Sequence, residues 1–72
     1  MESRVIANEN NISTNSASIS SNTSKISSNT EEITANMVKI GINSAAISKN
    51  TDMIATSTKS IEKNTSDIQS IY

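Results

Sequence analysis

The sequence lacks most of the side chains from which a small protein builds a compact core. Its 72 residues include no cysteine, histidine, tryptophan, phenylalanine or proline, and Tyr72 is the single aromatic residue. Large side chains supply most of the area that a core buries, and short chains are marginal without disulfides, metals or partner chains. These absences argue against a compact monomer and predict that the chain associates with other chains.

The same absences bear on function. Serines are abundant, but there is no histidine to activate them, no thiol nucleophile and no phosphate-binding loop, so we expect neither an enzyme nor a metal or cofactor site. The net charge of -1 comes from scattered charges, and no nucleic-acid partner is expected. No apolar run approaches the roughly 18 residues of a membrane-spanning helix, so no direct membrane contact is expected from this segment.

Polar residues dominate what remains. Serine and threonine supply 23 residues and asparagine supplies 10, a composition typical of low-complexity disorder. A repeat of seven residues overrides that interpretation. Ten successive heptads place a β-branched aliphatic residue at one position, here called a: Val5, Ile12, Ile19, Ile26, Ile33, Ile40, Ile47, Ile54, Ile61 and Ile68.

Asparagine occupies the position three residues later, called d. Eight of the 10 asparagines lie there: Asn8, Asn15, Asn22, Asn29, Asn36, Asn43, Asn50 and Asn64. Ser57 interrupts this series and Ile71 ends it. Alternating spacings of three and four keep both positions on one seam of a helix and impose a left-handed supercoil on helices that pack through it. Without proline, and with Gly41 as the only glycine, one continuous helix of roughly 100 Å is predicted.

The residues at a and d also predict how many chains associate. Asparagine at a is typical of parallel dimers, whereas this chain has isoleucine at a and asparagine at d. The Ile68 and Ile71 layer, with isoleucine at both positions, favours three strands or more. The predicted fold is therefore all-α: a homotrimeric, parallel, left-handed coiled coil with one continuous helix per chain, forming a single segment over residues 1–72.

In such a trimer, three equivalent asparagines would meet around the axis at each d layer. Each amide group left unpaired there costs about 1 to 3 kcal/mol. A ring can turn its NH₂ groups inward around an anion or water, or its carbonyls inward around a cation or water. Because no carboxylate lies at a or d to compensate a polyvalent cation, we favour an anion.

The phrase Ile-x-x-Asn-Thr occurs at residues 19–23, 26–30, 47–51 and 61–65. It resembles the stalk segments of trimeric autotransporter adhesins, which are fibrous surface adhesins of Gram-negative bacteria. The resemblance implies an extracellular stalk that spaces a binding head from the cell surface, with asparagine rings that bind chloride or a similar anion and with threonines that support the rings. The matching anion-binding residues are Asn22, Asn29, Asn50 and Asn64, and the supporting residues are Thr23, Thr30, Thr51 and Thr65.

Four other rings depart from the phrase. The departing rings are also candidate anion-binding sites, and they are formed by Asn8, Asn15, Asn36 and Asn43, which precede Glu9, Ser16, Met37 and Ser44. At Ser57 we expect water. The match concerns the stalk alone, so we expect a segment of a longer fibrous protein whose host ligand is bound by other domains.

Two alternatives remain open. A similar repeat occurs in the coiled-coil shafts of phage tail needles and fibres, which would place the protein in a virion. Alternatively, the stalk itself binds a host ligand through the apolar residues Met37, Val38 and Ile42 around Gly41. The competing interpretation of this patch is a locally loosened helix.

Overall fold

The computed structural model describes all 72 residues, and they form a single α-helix, α1, from Glu2–Ile71. There is no strand, no cis peptide bond and no residue with positive φ. At the two ends, the Val5 amide donates to the Met1 carbonyl at 3.1 Å and the Tyr72 amide to the Ile68 carbonyl at 3.3 Å. The predicted all-α fold with one continuous helix is confirmed.

The helix forms from residues that favour it weakly. Serine, threonine and asparagine have lower helix propensity than alanine because their side chains compete for backbone hydrogen bonds. With no proline, however, no backbone N–H is missing from the interior of α1. In proteins, most helical stability comes from packing of an apolar face rather than from propensity. The face that α1 offers for packing is the a and d seam.

The helix divides into two units, Met1–Asn36 and Met37–Tyr72. Each unit carries five of the a positions. All contacts within the chain are local, and no residue is buried. Neither unit therefore has a hydrophobic core of its own. No part of α1 combines the length and the apolar character required to cross a bilayer.

Gly41 lies within the regular helix, at the heptad position directly after Ile40. A Cβ atom added at Gly41 would meet nothing within 4 Å. We therefore expect Gly41→Ala to stabilise the helix by about 1 kcal/mol per chain, because alanine loses less backbone entropy. Thermal unfolding followed by circular dichroism measures the change. Ala55→Gly, at the same heptad position, should destabilise the helix by a similar free energy and so lower the melting temperature. A lower melting temperature for Gly41→Ala would contradict the absence of obstruction around an added Cβ atom.

Candidate anion-binding seam

The a positions form an uncovered apolar stripe along each unit. Their nine isoleucines are 56 to 67% exposed, and Val5 is 48% exposed. Residues three and four apart are neighbours on a helix surface, so each isoleucine adjoins the d residues before and after it. Along the seam, exposed aliphatic side chains therefore alternate with the polar side chains of the d positions.

The asparagines of the d positions make no hydrogen bond within the helix. The side-chain hydrogen bonds of α1 come from threonine, serine and lysine donors, and no asparagine takes part in one. Each amide carries two N–H donors and one carbonyl acceptor. All eight predicted ring residues thus keep their full hydrogen-bonding capacity for groups outside their own chain.

The threonines that follow the d positions behave differently. Each of the four predicted supporting residues donates its hydroxyl proton to the carbonyl of the a residue four positions earlier, at 2.8 to 2.9 Å. The four bonds run from Thr23 to Ile19, from Thr30 to Ile26, from Thr51 to Ile47 and from Thr65 to Ile61. A hydroxyl has one donor and two acceptor sites, so the bond consumes the donor and leaves the oxygen able to accept.

Thr58 makes the same bond, to the carbonyl of Ile54 at 2.9 Å, although it follows Ser57 rather than an asparagine. The bond does not depend on a preceding asparagine, and Thr34, outside the seam, makes it to the carbonyl of Thr30 at 3.0 Å. Thr58, like the four supporting threonines, lies directly after d, at the position here called e. Ser16 and Ser44 occupy the same position and make no such bond. The phrase Asn-Thr missed Thr58, which the heptad position alone would have found.

Asparagine and threonine border a common depression on the helix surface. Residues i, i+3, i+4 and i+7 are mutual neighbours and surround a gap into which a side chain of a facing helix can insert. Ile19, Asn22, Thr23 and Ile26 form one such set. A side chain that enters this gap meets the Asn22 amide and the Thr23 hydroxyl together. The next heptad repeats the arrangement, with the Thr30 hydroxyl at the same 2.8 Å from its carbonyl acceptor as that of Thr23.

Charged groups lie outside the seam. The a and d positions contain no charged residue. The one ion pair of the chain joins Lys63 Nζ to Asp67 Oδ2 at 2.6 Å, between two exposed side chains. An exposed pair of this kind contributes about 0 to 1 kcal/mol. No cluster of three or more acidic, histidine or cysteine side chains suited to a metal ion is present.

The predicted apolar patch separates into two parts. Val38 and Ile42 are four residues apart on the face opposite the seam, and they are 60% and 63% exposed. Met37 instead borders the seam at position e and is 67% exposed. The helix continues through Gly41 as α-helix.

Comparison of the chain with protein-family models, with curated proteins and with solved structures gives no match. The groups that the chain offers to a partner are those of the seam. Exposed β-branched side chains alternate along the seam with amides that make no hydrogen bond within the helix. Beside them lie threonine hydroxyl oxygens that can each accept a hydrogen bond.

Proposed function

We propose that the chain is the stalk segment of a trimeric adhesin on a bacterial cell surface. Three parallel copies wind into a left-handed coiled coil through the a and d seam and hold a binding head away from that surface, with no catalytic role. The observation that carries this proposal is the exposed seam, in which every a position is occupied by isoleucine or valine and none is covered within the chain. The Ile-x-x-Asn-Thr phrase supports the adhesin stalk in particular.

Energetics support association through the seam. Burial of one isoleucine contributes on the order of 2 kcal/mol, and a single helix gains only a minor part of this because its isoleucines stay more than half exposed. A strict heptad stripe drifts by about 20° per heptad around a straight α-helix, so helices must supercoil to keep the stripe in contact. The supercoil that a seven-residue period requires is left-handed.

The hydrogen bonds of the threonines favour rings in which the asparagine NH₂ groups, rather than the asparagine carbonyls, face the axis of the trimer. In the parallel arrangement, Asn22 inserts into the gap of the neighbouring chain that Thr23 of that chain borders. Because the threonine hydroxyl has already donated its proton, it can only accept, and the group it accepts from is the asparagine NH₂. The second N–H of each amide then points to the axis, where three such donors suit chloride or a similar anion.

The rings differ in this support. The proposed principal anion sites are the rings whose asparagine precedes a threonine that donates its hydroxyl proton to a backbone carbonyl. They are formed by Asn22, Asn29, Asn50 and Asn64. The remaining rings, which lack that threonine, bind an anion less tightly or hold water. They are formed by Asn8, Asn15, Asn36 and Asn43.

Anion dependence tests the occupied rings. At fixed ionic strength, replacement of a large, weakly coordinating anion by chloride or bromide should raise the melting temperature. An anion that binds only the folded trimer stabilises it by about 1.4 kcal/mol per ring at ten times its Kd. Crystals grown in bromide should show anomalous peaks on a threefold axis at the asparagine layers. Equal melting temperatures in the two anions would contradict anion-filled rings.

A second function has one observation in its favour. Val38 and Ile42 lie opposite the seam and would stay exposed in the trimer, so they are available to a host ligand. If the stalk only spaces a head, Val38→Ser with Ile42→Ser should leave adhesion by cells that carry the full-length protein intact. Loss of adhesion by cells displaying normal amounts of this variant would instead assign binding to the stalk. Ala35→Ser with Ala45→Ser, at the same heptad positions, provides the matched control.

A further inference from the structure

The N-terminal end of the seam contains a depression lined by four residues. Met1, Arg4, Val5 and Asn8 surround an open cavity of about 400 Å³. Their spacing is i, i+3, i+4 and i+7, which is the arrangement that receives one side chain from a facing helix. In the heptad, Val5 is at a, Met1 and Asn8 are at d, and Arg4 is at the position directly before a, called g.

Arg4 lines this depression, and the oppositely charged Glu9 lies on the other side of the seam. Arg4 at g and Glu9 at e form no ion pair within the helix. Residues five apart point to different sides of an α-helix, so the two side chains are not surface neighbours. Between parallel helices, however, a g residue lies beside the e residue that is five positions further along the neighbouring chain.

Arg4 with Glu9 is the only oppositely charged combination of this kind in the chain. The other charged g residues face a threonine, a methionine, a serine or a tyrosine. Those four combinations are Lys25 with Thr30, Glu32 with Met37, Lys39 with Ser44 and Asp67 with Tyr72.

We propose that these residues form an interchain clamp that aligns the three copies at their N-terminal ends. Val5 of one copy enters the depression lined by Met1, Arg4, Val5 and Asn8 of its neighbour. The Arg4 guanidinium of that neighbour, at the rim, pairs with Glu9 of the entering copy, which lies one helical turn beyond the inserted Val5. This inference rests on the proposed parallel trimer and adds the device that sets its register.

The clamp distinguishes between alignments of the chains that the seam alone distinguishes weakly. A slip of one whole heptad sets isoleucine beside isoleucine and asparagine beside asparagine along most of the chain, so the seam discriminates weakly against it. The same slip of one copy leaves one of the three Arg4–Glu9 pairs intact, moves a second Arg4 beside Ser16 and moves the third beside Glu2, which also lies at e, so it removes one ion pair of the clamp. An antiparallel arrangement places g beside g and e beside e, and separates the two residues altogether.

Charge reversal tests the clamp. Arg4→Glu and Glu9→Arg each place like charges together, and the double variant restores opposite charges with their positions exchanged. Each chain carries Ser70→Cys labelled with pyrene, whose excimer emission requires aligned C-terminal ends; a one-heptad slip moves the labels about 10 Å apart along the axis. We expect each single variant to lose part of its excimer emission, since a slipped copy leaves the labels of the other two copies aligned, and to melt at a lower temperature; the double variant should regain both.

The control is Lys25→Glu, which reverses a charge at g opposite an uncharged threonine and should leave the excimer emission unchanged. Sedimentation tests the trimer separately from the clamp. If the variants sediment as trimers but neither single variant loses excimer emission, the clamp is overturned and the proposed stalk is not. The same holds if the double variant does not regain the emission. An unlabelled parent chain that does not sediment as a trimer would overturn the proposed stalk and the clamp together.

Discussion

Replacement of Asn22 and Asn29 by isoleucine is expected to stabilise the assembled chain more than any other change proposed for it. In a trimer the two substitutions bury six additional isoleucine side chains, and at about 2 kcal/mol each the gain is about 12 kcal/mol per trimer. The variant should also show a smaller response to chloride, because two of the principal rings are gone. Denaturant unfolding followed by circular dichroism measures the first effect, and anion exchange at fixed ionic strength measures the second.

Ser21→Ile with Ser28→Ile is the matched control, since both serines lie in the same two heptads but directly before d, on the outer face. These substitutions should change stability by no more than about 0.5 kcal/mol each. An equal gain from both pairs would mean that apolar content alone, and not the d position, decides stability. No gain from the asparagine pair would place Asn22 and Asn29 outside the contact between chains.

Ile26→Ala is expected to cause the largest loss. Truncation of a buried isoleucine costs about 2 to 5 kcal/mol, and the threefold repetition raises this to about 6 to 15 kcal/mol per trimer. Because folding is coupled to association, the variant should dissociate and lose helix at concentrations where the parent chain stays assembled. Sedimentation and circular dichroism over a dilution series measure both changes.

Ile6→Ala provides the comparison within the same unit. Ile6 is 55% exposed and directly follows Val5, outside the a and d positions, so its truncation should have little effect. A similar loss from the two alanine variants would show that the heptad position does not distinguish buried from exposed isoleucines. That result would remove the basis for the seam.

The stabilising effect of isoleucine at d raises the question of why asparagine lies there. A slip of the chains by less than one heptad sets asparagine against isoleucine, and unpaired amides then cost about 1 to 3 kcal/mol each. An all-isoleucine seam tolerates more such slips and exposes more apolar surface before assembly. Asparagine thus gives up stability in exchange for alignment, a use of polar core residues that is well established in coiled coils.

The helix was predictable from the period of the sequence, although not from propensity. Serine and threonine are common between Ile12 and Thr30, and a composition-based interpretation would have left that region disordered. The recurrence of isoleucine every seven residues outweighs composition because it places one apolar residue on the same face in every heptad. The structure places residues 12–30 in regular helix, as the period predicts.

The candidate site was predictable in part. Heptad spacing placed Asn22 and Thr23 next to each other beside the seam, but it did not indicate that the Thr23 hydroxyl donates to the Ile19 carbonyl. That bond depends on the side-chain rotamer, and threonine has two accessible rotamers in a helix. The number of chains and the ion depend on groups from several copies that meet on an axis, so one chain contains only a third of each proposed ring.

Two neighbouring heptads are nearly interchangeable. Residues 19–25 and 26–32 begin with the same five amino acids, and their threonines make the same 2.8 Å hydrogen bond. Deletion of residues 26–32 would shorten the helix by about 10 Å and return every later a and d residue to its place in the seam. Loss or gain of three or four residues would instead overwind or unwind the coiled coil locally. Loss or gain of one or two residues would turn the following seam away from its neighbours, because each residue advances a helix by about 100°. In the proposed stalk, repeat copy number would therefore set the reach of the fibre in steps of one heptad, with its cross-section unchanged.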